Sequence, residues 1–269
     1  MPTWTDIAFG YALYLAALAW LLPRFEQARI GALVAVAIAG ALAWSWPLEG
    51  TGPLPDALNW VVLPSAALLG AYRVSGAFFL RPSAALEDAL ARIDAALLVR
   101  PGVLAAFRAA GPAAHAAIEV LYLCVYAIVP LGAVVVLLAG RREGLATYWT
   151  TVFFAELACY AALPWLQSRP PRALDQPGER EKSGAMRGLN LAILRHGSIQ
   201  ANTIPSGHAA GAVAVALSVH SAVPSAGPAF LVVAAGITLA TVLGRYHYTA
   251  DSILGVLVAI VSWVSVWRP

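Results

Sequence analysis

A chain of 269 residues that is 60% hydrophobic and 12% charged, with a mean hydropathy of +0.74, is excluded from the soluble class, where about 25% of residues are charged. It reads as an integral membrane protein with room for one domain of several spans. The formal charge of +3 is too small to point to nucleic acid. The cations are sixteen arginines and one lysine, Lys182, a bias that suits phosphate, which a planar guanidinium grips with two parallel bonds.

Residues 1–6 carry no basic stretch ahead of the first apolar run, so that run is expected to be a span and not a cleaved leader. A span needs about 20 apolar residues, and on that ruler eight segments are expected, at 7–22, 30–46, 57–79, 113–139, 145–166, 205–223, 229–243 and 249–267. Between the third and fourth, Leu86, Leu90, Ile93, Leu97 and Leu98 recur near helical spacing while Glu87, Asp88, Arg92 and Asp94 fill the other face. That pattern predicts an amphipathic helix at the interface, with a solvated loop helix as the plain alternative, broken at Pro101-Gly102. Cys124 and Cys159 lie inside apolar segments as small packing residues, with no disulfide or metal spacing. Residues 167–204 form the longest polar stretch. Trp263 and Trp267 stand where interfacial anchors belong.

Eight crossings put both termini on one side, and the loops after the first, third, fifth and seventh on the other. The polar stretch, the start of the sixth span at Pro205 and the turn around Arg245 then converge on one membrane face. Polar groups at the edge of a membrane core are costly, and they mark chemistry or transport.

His208, in Pro205-Ser206-Gly207-His208, falls in the first turn of the sixth span. Ser206 and Gly207 leave room for an anion to approach a helix N-terminus, whose amides and dipole favour phosphate. The bland reading of that motif is a capped helix start. His247 and Asp251 are four apart and share one helical face. A carboxylate on one ring nitrogen leaves the other to attack, whereas the bland reading is a structural pair. Arg245 ahead of them suits an anionic substrate. Arg169 and Arg172, stiffened by Pro170 and Pro171, are either hydrogen-bond donors to phosphate oxygens or a basic cluster ending the fifth span. His220 reads as a packing residue deep in its span and His115 as structural. Glu119 and Glu156 lie inside spans, where they pair with neighbours or line a cavity. Lys182, Arg187, Arg195 and His196 stand as possible head-group or lipid contacts.

Taken together, Arg169-Pro170, Pro205-Ser206-Gly207-His208 and His247 with Asp251 resemble the type 2 phosphatidic acid phosphatase superfamily over residues 113–269. The last motif is also similar to the inositol phosphorylceramide and sphingomyelin synthase branch. The resemblance implies an all-α membrane protein with a six-helix phosphatase-like core (57–269) and an added N-terminal helix pair (1–56). It implies His247 as a nucleophile forming phosphohistidine, Asp251 as its orienter and His208 as acid and base. Ser206, the Gly207 backbone, Arg169 and Arg245, with Arg172 beside them, would hold the phosphate oxygens. No metal or other cofactor is expected, and the implied partner is an amphiphilic phosphate-bearing lipid. Two positions depart from the family pattern: Ala162 replaces a lysine and Thr241 an arginine.

Hydrolysis of a lipid phosphate or pyrophosphate leads. Transfer of a head group to an alcohol is the enzymatic alternative, and an anion or lipid transporter is the non-enzymatic one. A transporter would bury the polar cluster near the midplane, whereas here it lies at span ends. For orientation, Arg24, Arg29, Arg81, Arg92, Arg100, Arg108, Arg180, Lys182, Arg187 and Arg195 fall on the site side, against Arg141, Arg142 and Arg268 opposite. That asymmetry points to a cytoplasmic site, and the resemblance to an exoplasmic one.

Overall fold

The chain becomes helical as soon as its polar N-terminus offers a cap. The Thr3 hydroxyl accepts the Asp6 N–H while the Asp6 carboxylate accepts the Thr3 N–H, so two donors that a helix start leaves orphaned are satisfied together. The computed structural model describes residues 2–48, 52–174 and 184–267; Arg180, Lys182 and Arg268 lie outside the described residues. Among these, every regular element is helical. In order they are α1 (Trp4–Leu21), α2 (Arg29–Ser45), α3 (Pro53–Phe78), α4 (Ala84–Asp94, prolonged by a wide turn over Ala95–Val99), α5 (Val103–Ala109), α6 (Pro112–Leu138) and α7 (Arg142–Ala161). Then follow α8 (Ala185–Gly197), α9 (Gly207–Ala222), α10 (Gly227–Leu243) and α11 (Thr249–Val266).

Five stretches, Trp4–Leu21, Pro23–Ser45, Pro53–Phe78, Pro112–Leu138 and Thr249–Val266, are long and apolar enough to cross a membrane, and Gly227–Leu243 is a shorter apolar helix. The protein is multi-pass. The core lies between α7 and α9, which pack on each other and on α11. Small residues make that approach possible: a Cβ on Gly207 would stand 2.8 Å from Glu156 Oε2, and one on Gly211 would collide with the same carboxylate. On the outside, α1 packs on α7 and α2 on α1, with Trp4 and Leu15 joining Trp149 and Phe153 in one apolar cluster.

Side-chain bonds identify the two ends of the bundle. At one end the Tyr14 hydroxyl donates to the Ala161 carbonyl, joining α1 and α7, and Tyr72 of α3 meets Ser198. At the other, Arg142 pairs with Asp56, and the indoles of Trp263 and Trp267 donate to Ser221 and Thr151. Helices α4, α5 and α8 sit at the first end. There the backbone of Asn202 bonds that of Ser168 at 2.9 Å, and the Ser206 N–H donates to the Asp251 carbonyl at 2.9 Å. The three stretches expected to converge do so.

Three expectations need correction. The sixth apolar segment becomes helical at Gly207 and not at Pro205, because the Ser206 hydroxyl accepts the Ala209 N–H and is therefore the cap. The fifth ends at Ala161, where the amides of Leu163, Trp165 and Leu166 close tight turns instead of continuing the helix. The third correction concerns the amphipathic helix. Glu87 and Asp94 are buried, together with Leu90 and Leu98, while Ile93, Leu97 and Val99 are exposed. Glu87 and Asp94 turn inward because arginines are waiting for them.

Candidate active site

His247 occupies a turn whose shape is set by one left-handed residue. Arg245 has φ 61°, a conformation costly for a side-chain-bearing residue. It folds the chain back so that the N–H groups of Tyr246 and His247 both donate to the Thr241 carbonyl at 2.9 Å. Immediately beyond, α11 starts, and the Asp251 carboxylate accepts the Tyr248 N–H at 3.0 Å. The same oxygen accepts the Asn202 amide at 2.8 Å. The His247 Nδ1 lies 3.7 Å from it, beyond hydrogen-bond reach. Asp251 therefore stands beside His247 without the bond that the four-residue spacing suggested. Burial, and then the Arg172 guanidinium, push His247 down to about 3, so its imidazole is neutral at physiological pH and its lone pair is available.

Across from it stands His208, in the first turn of α9. His247 Nε2 and His208 Nδ1 are 3.3 Å apart. The His208 Nε2 meets the Tyr122 hydroxyl at 3.2 Å. Two of the amides that begin α9 already have partners: Gly207 donates to the Thr203 hydroxyl at 3.2 Å, and Ala209 to Ser206.

The three arginines have different surroundings. Arg172 lies over the Tyr246 ring at 5.4 Å, donates to the Tyr246 carbonyl at 3.4 Å, and takes the Arg245 carbonyl on its N–H at 3.0 Å. Burial lowers its tendency to hold a proton, and it is the guanidinium whose charge reaches His247. Arg169 instead forks onto Glu87 of α4, with bonds of 2.7 and 3.0 Å, and this pairing holds the Glu87 carboxyl below its usual range. Arg245 comes within 4.0 Å of Asp94. Burial raises Asp94, opposed by the Thr249 N–H that it accepts.

Sequence reasoning gave Asn202 no role, and yet it bridges Asp251 to the Ser168 hydroxyl. It also missed Tyr122 and Tyr246, whose rings stack at 3.6 Å. Glu119 gathers Tyr246, Arg187 and Asn190 onto one buried carboxylate. The signal for Asn202 was its place four residues before Ser206; the tyrosines gave none. Thr241, where the family pattern has arginine, is fully buried with its hydroxyl on Ser252. His220, expected deep in its span, is exposed at the far end of α9, where the chain has already turned toward Gly227. His115 binds the Phe107 carbonyl at 2.9 Å, as a structural residue does.

Comparison with curated proteins and with solved structures finds no match. The family model of the PAP2 superfamily matches residues 88–265, well over half of the chain. Because that match covers most of the chain and takes in the facing histidines, Asp251 and Arg172 within one continuous span of sequence, the chain belongs to the PAP2 superfamily, whose members are phosphatase-type enzymes.

Proposed function

We propose that the chain is a phosphohydrolase of the cell membrane that acts on a lipid phosphate or pyrophosphate through a phosphohistidine on His247. The observation that carries this reading is the facing of two histidines across 3.3 Å, beside the Arg172 guanidinium and at the end of an apolar bundle. A lipid approaching in the bilayer plane brings its phosphate to that depth while its chains stay in hydrocarbon. The bundle crosses eight times in this reading. Helices α7, α9 and α10 complete the five longer apolar stretches, because α7 and α9 face protein and need less hydrophobic surface.

The substrate arrives with a proton on its phosphate, which His208 Nδ1 takes. His247 Nε2 then forms a P–N bond as the P–O bond to the lipid alcohol breaks, and the His208 proton goes to the departing oxygen. In the second half, Nδ1 accepts a proton from water, whose oxygen displaces His247 and releases inorganic phosphate. Arg172 compensates the phosphoryl charge, and Asp251 shares the positive charge on His247. Arg169 and Arg245 reach the phosphate only by exchanging Glu87 and Asp94 for it. Ser206 and Gly207 contribute the cap and the close approach that place His208. Transfer to an alcohol is the second reading, favoured by Ala162 and Thr241 standing where the hydrolytic pattern carries lysine and arginine.

Purified protein, freed of divalent metal with chelator, is offered a panel of lipid phosphates while free phosphate and transferred product are scored together. Free phosphate with an acid-labile phosphoenzyme that His247→Ala abolishes is the expected result. An acceptor-dependent phospholipid product would install transfer instead, and full activity of His247→Ala would sink the nucleophile.

A further inference from the structure

The two histidines face each other, but the groups behind them differ in kind. Behind His247 stands a carboxylate. Behind His208 stands a phenol, with the Tyr122 hydroxyl 3.2 Å from Nε2 and the Tyr122 ring stacked on the imidazole at 5.3 Å and 17°. Tyr122 is 1% exposed. The Tyr246 ring also stacks on it, at 3.6 Å and 12°, and the Tyr246 hydroxyl is tied to Glu119. The phenol therefore has one position, and so has the imidazole stacked on it.

Resting on the phosphohydrolase reading above, we propose that Tyr122 is a positioning residue for His208. It engages Nε2 and so keeps Nδ1 as the nitrogen that serves the leaving oxygen and then the water. In the neutral ring, Nε2 carries the proton and donates to the Tyr122 oxygen, which leaves the Nδ1 lone pair turned toward His247 Nε2, 3.3 Å away, where the entering phosphate would part the two nitrogens. In the charged ring, Nε2–H stays on the same oxygen and Nδ1–H points at the leaving group. The phenol is an acceptor for both states, so no rearrangement intervenes between them. It is also neutral. A carboxylate would share the imidazolium charge and hold the proton back, whereas a phenol leaves His208 free to release it. The carboxylate behind His247 and the phenol behind His208 thus divide the roles of two otherwise identical side chains.

The test uses Tyr122→Phe, which keeps the stack and removes only the hydroxyl. First-turnover release of the leaving group is measured with two substrates, a long-chain alkyl phosphate and an alkyl-substituted nitrophenyl phosphate whose leaving group needs no proton. Loss of oriented proton transfer costs about 10–100-fold, so alkyl release should fall by about that factor while nitrophenolate release stays within about threefold. Equal losses on both substrates, or none on either, would overturn the proposal. His208→Ala runs alongside. If it lacks the same leaving-group dependence, the acid assigned to His208 is wrong; if it shows the dependence and Tyr122→Phe does not, only the role of Tyr122 fails.

Discussion

Helices α2 and α9 are almost equal in length, 17 and 16 residues, yet α2 buries two of its residues and α9 buries ten. The outer helix turns Ile30, Leu33, Val34, Ile38 and Trp44 outward, Trp44 at 93% exposure. Apart from His208, Leu217 and His220, the inner one is built of Ala, Gly, Val and Ser. Lipid chains are as apolar as leucine, so nothing drives a large apolar side chain away from the bilayer, and helices meet where small residues let backbones approach. The helix that carries His208 touches protein on most of its surface, and the polar residues at its mouth survive there because neighbouring helices satisfy them.

If that contrast is right, substitutions should matter in proportion to how far inside they fall. His247→Ala should lower turnover by at least about 10^3-fold with the thermal unfolding profile intact; a few-fold loss would break the inner site as described. Glu119→Ala strips Arg187 of a partner 2.9 Å away in a buried setting and should cost about 3 kcal/mol, read as a lower unfolding temperature in detergent. Gly211→Ala forces a methyl group into the Glu156 carboxylate and should cost about 1–3 kcal/mol; an unchanged unfolding temperature would mean that α7 and α9 are not in contact there. Ile38→Ala, at a residue 57% exposed on α2, should stay within about 0.5 kcal/mol, and a larger loss would place a protein surface where lipid is expected.

The smallest effect concerns protons. His247 is pushed from an ordinary 6.5 down to about 3, so its ring resonances should not titrate between pH 5 and 8. A midpoint inside that window would show that water reaches the ring. The sign for stability follows from the same numbers. Between about pH 3 and 6.5 the unfolded chain binds a proton that the folded chain refuses, so this histidine makes the fold less stable as pH drops through that window.

Much of the site was legible because its motifs are local. Pro205-Ser206-Gly207-His208 carries its own helix cap, and His247 with Asp251 is spaced for one helical face. What was not legible was the orientation of long side chains. Arg169, read as a phosphate donor, is held by Glu87 from a helix 82 residues earlier in the chain. No periodicity predicts that, because the inward face of α4 carries acids where amphipathicity expects leucines.

Composition and the length of the apolar runs determined by themselves that this chain lives in a bilayer. The order of those runs led to the expectation that three distant stretches meet, and the bonds between Ser168 and Asn202, Arg172 and Arg245, and Ser206 and Asp251 join them. Both follow from a simple rule: hydrocarbon tolerates neither unpaired backbone nor stray charge. Tertiary structure alone decided which groups stand behind each histidine, Asp251 with Asn202 for one and Tyr122 with Tyr246 for the other. Those partners come from different helices, and stacking and hydrogen bonding across helices depend on packing geometry that no single stretch of sequence contains.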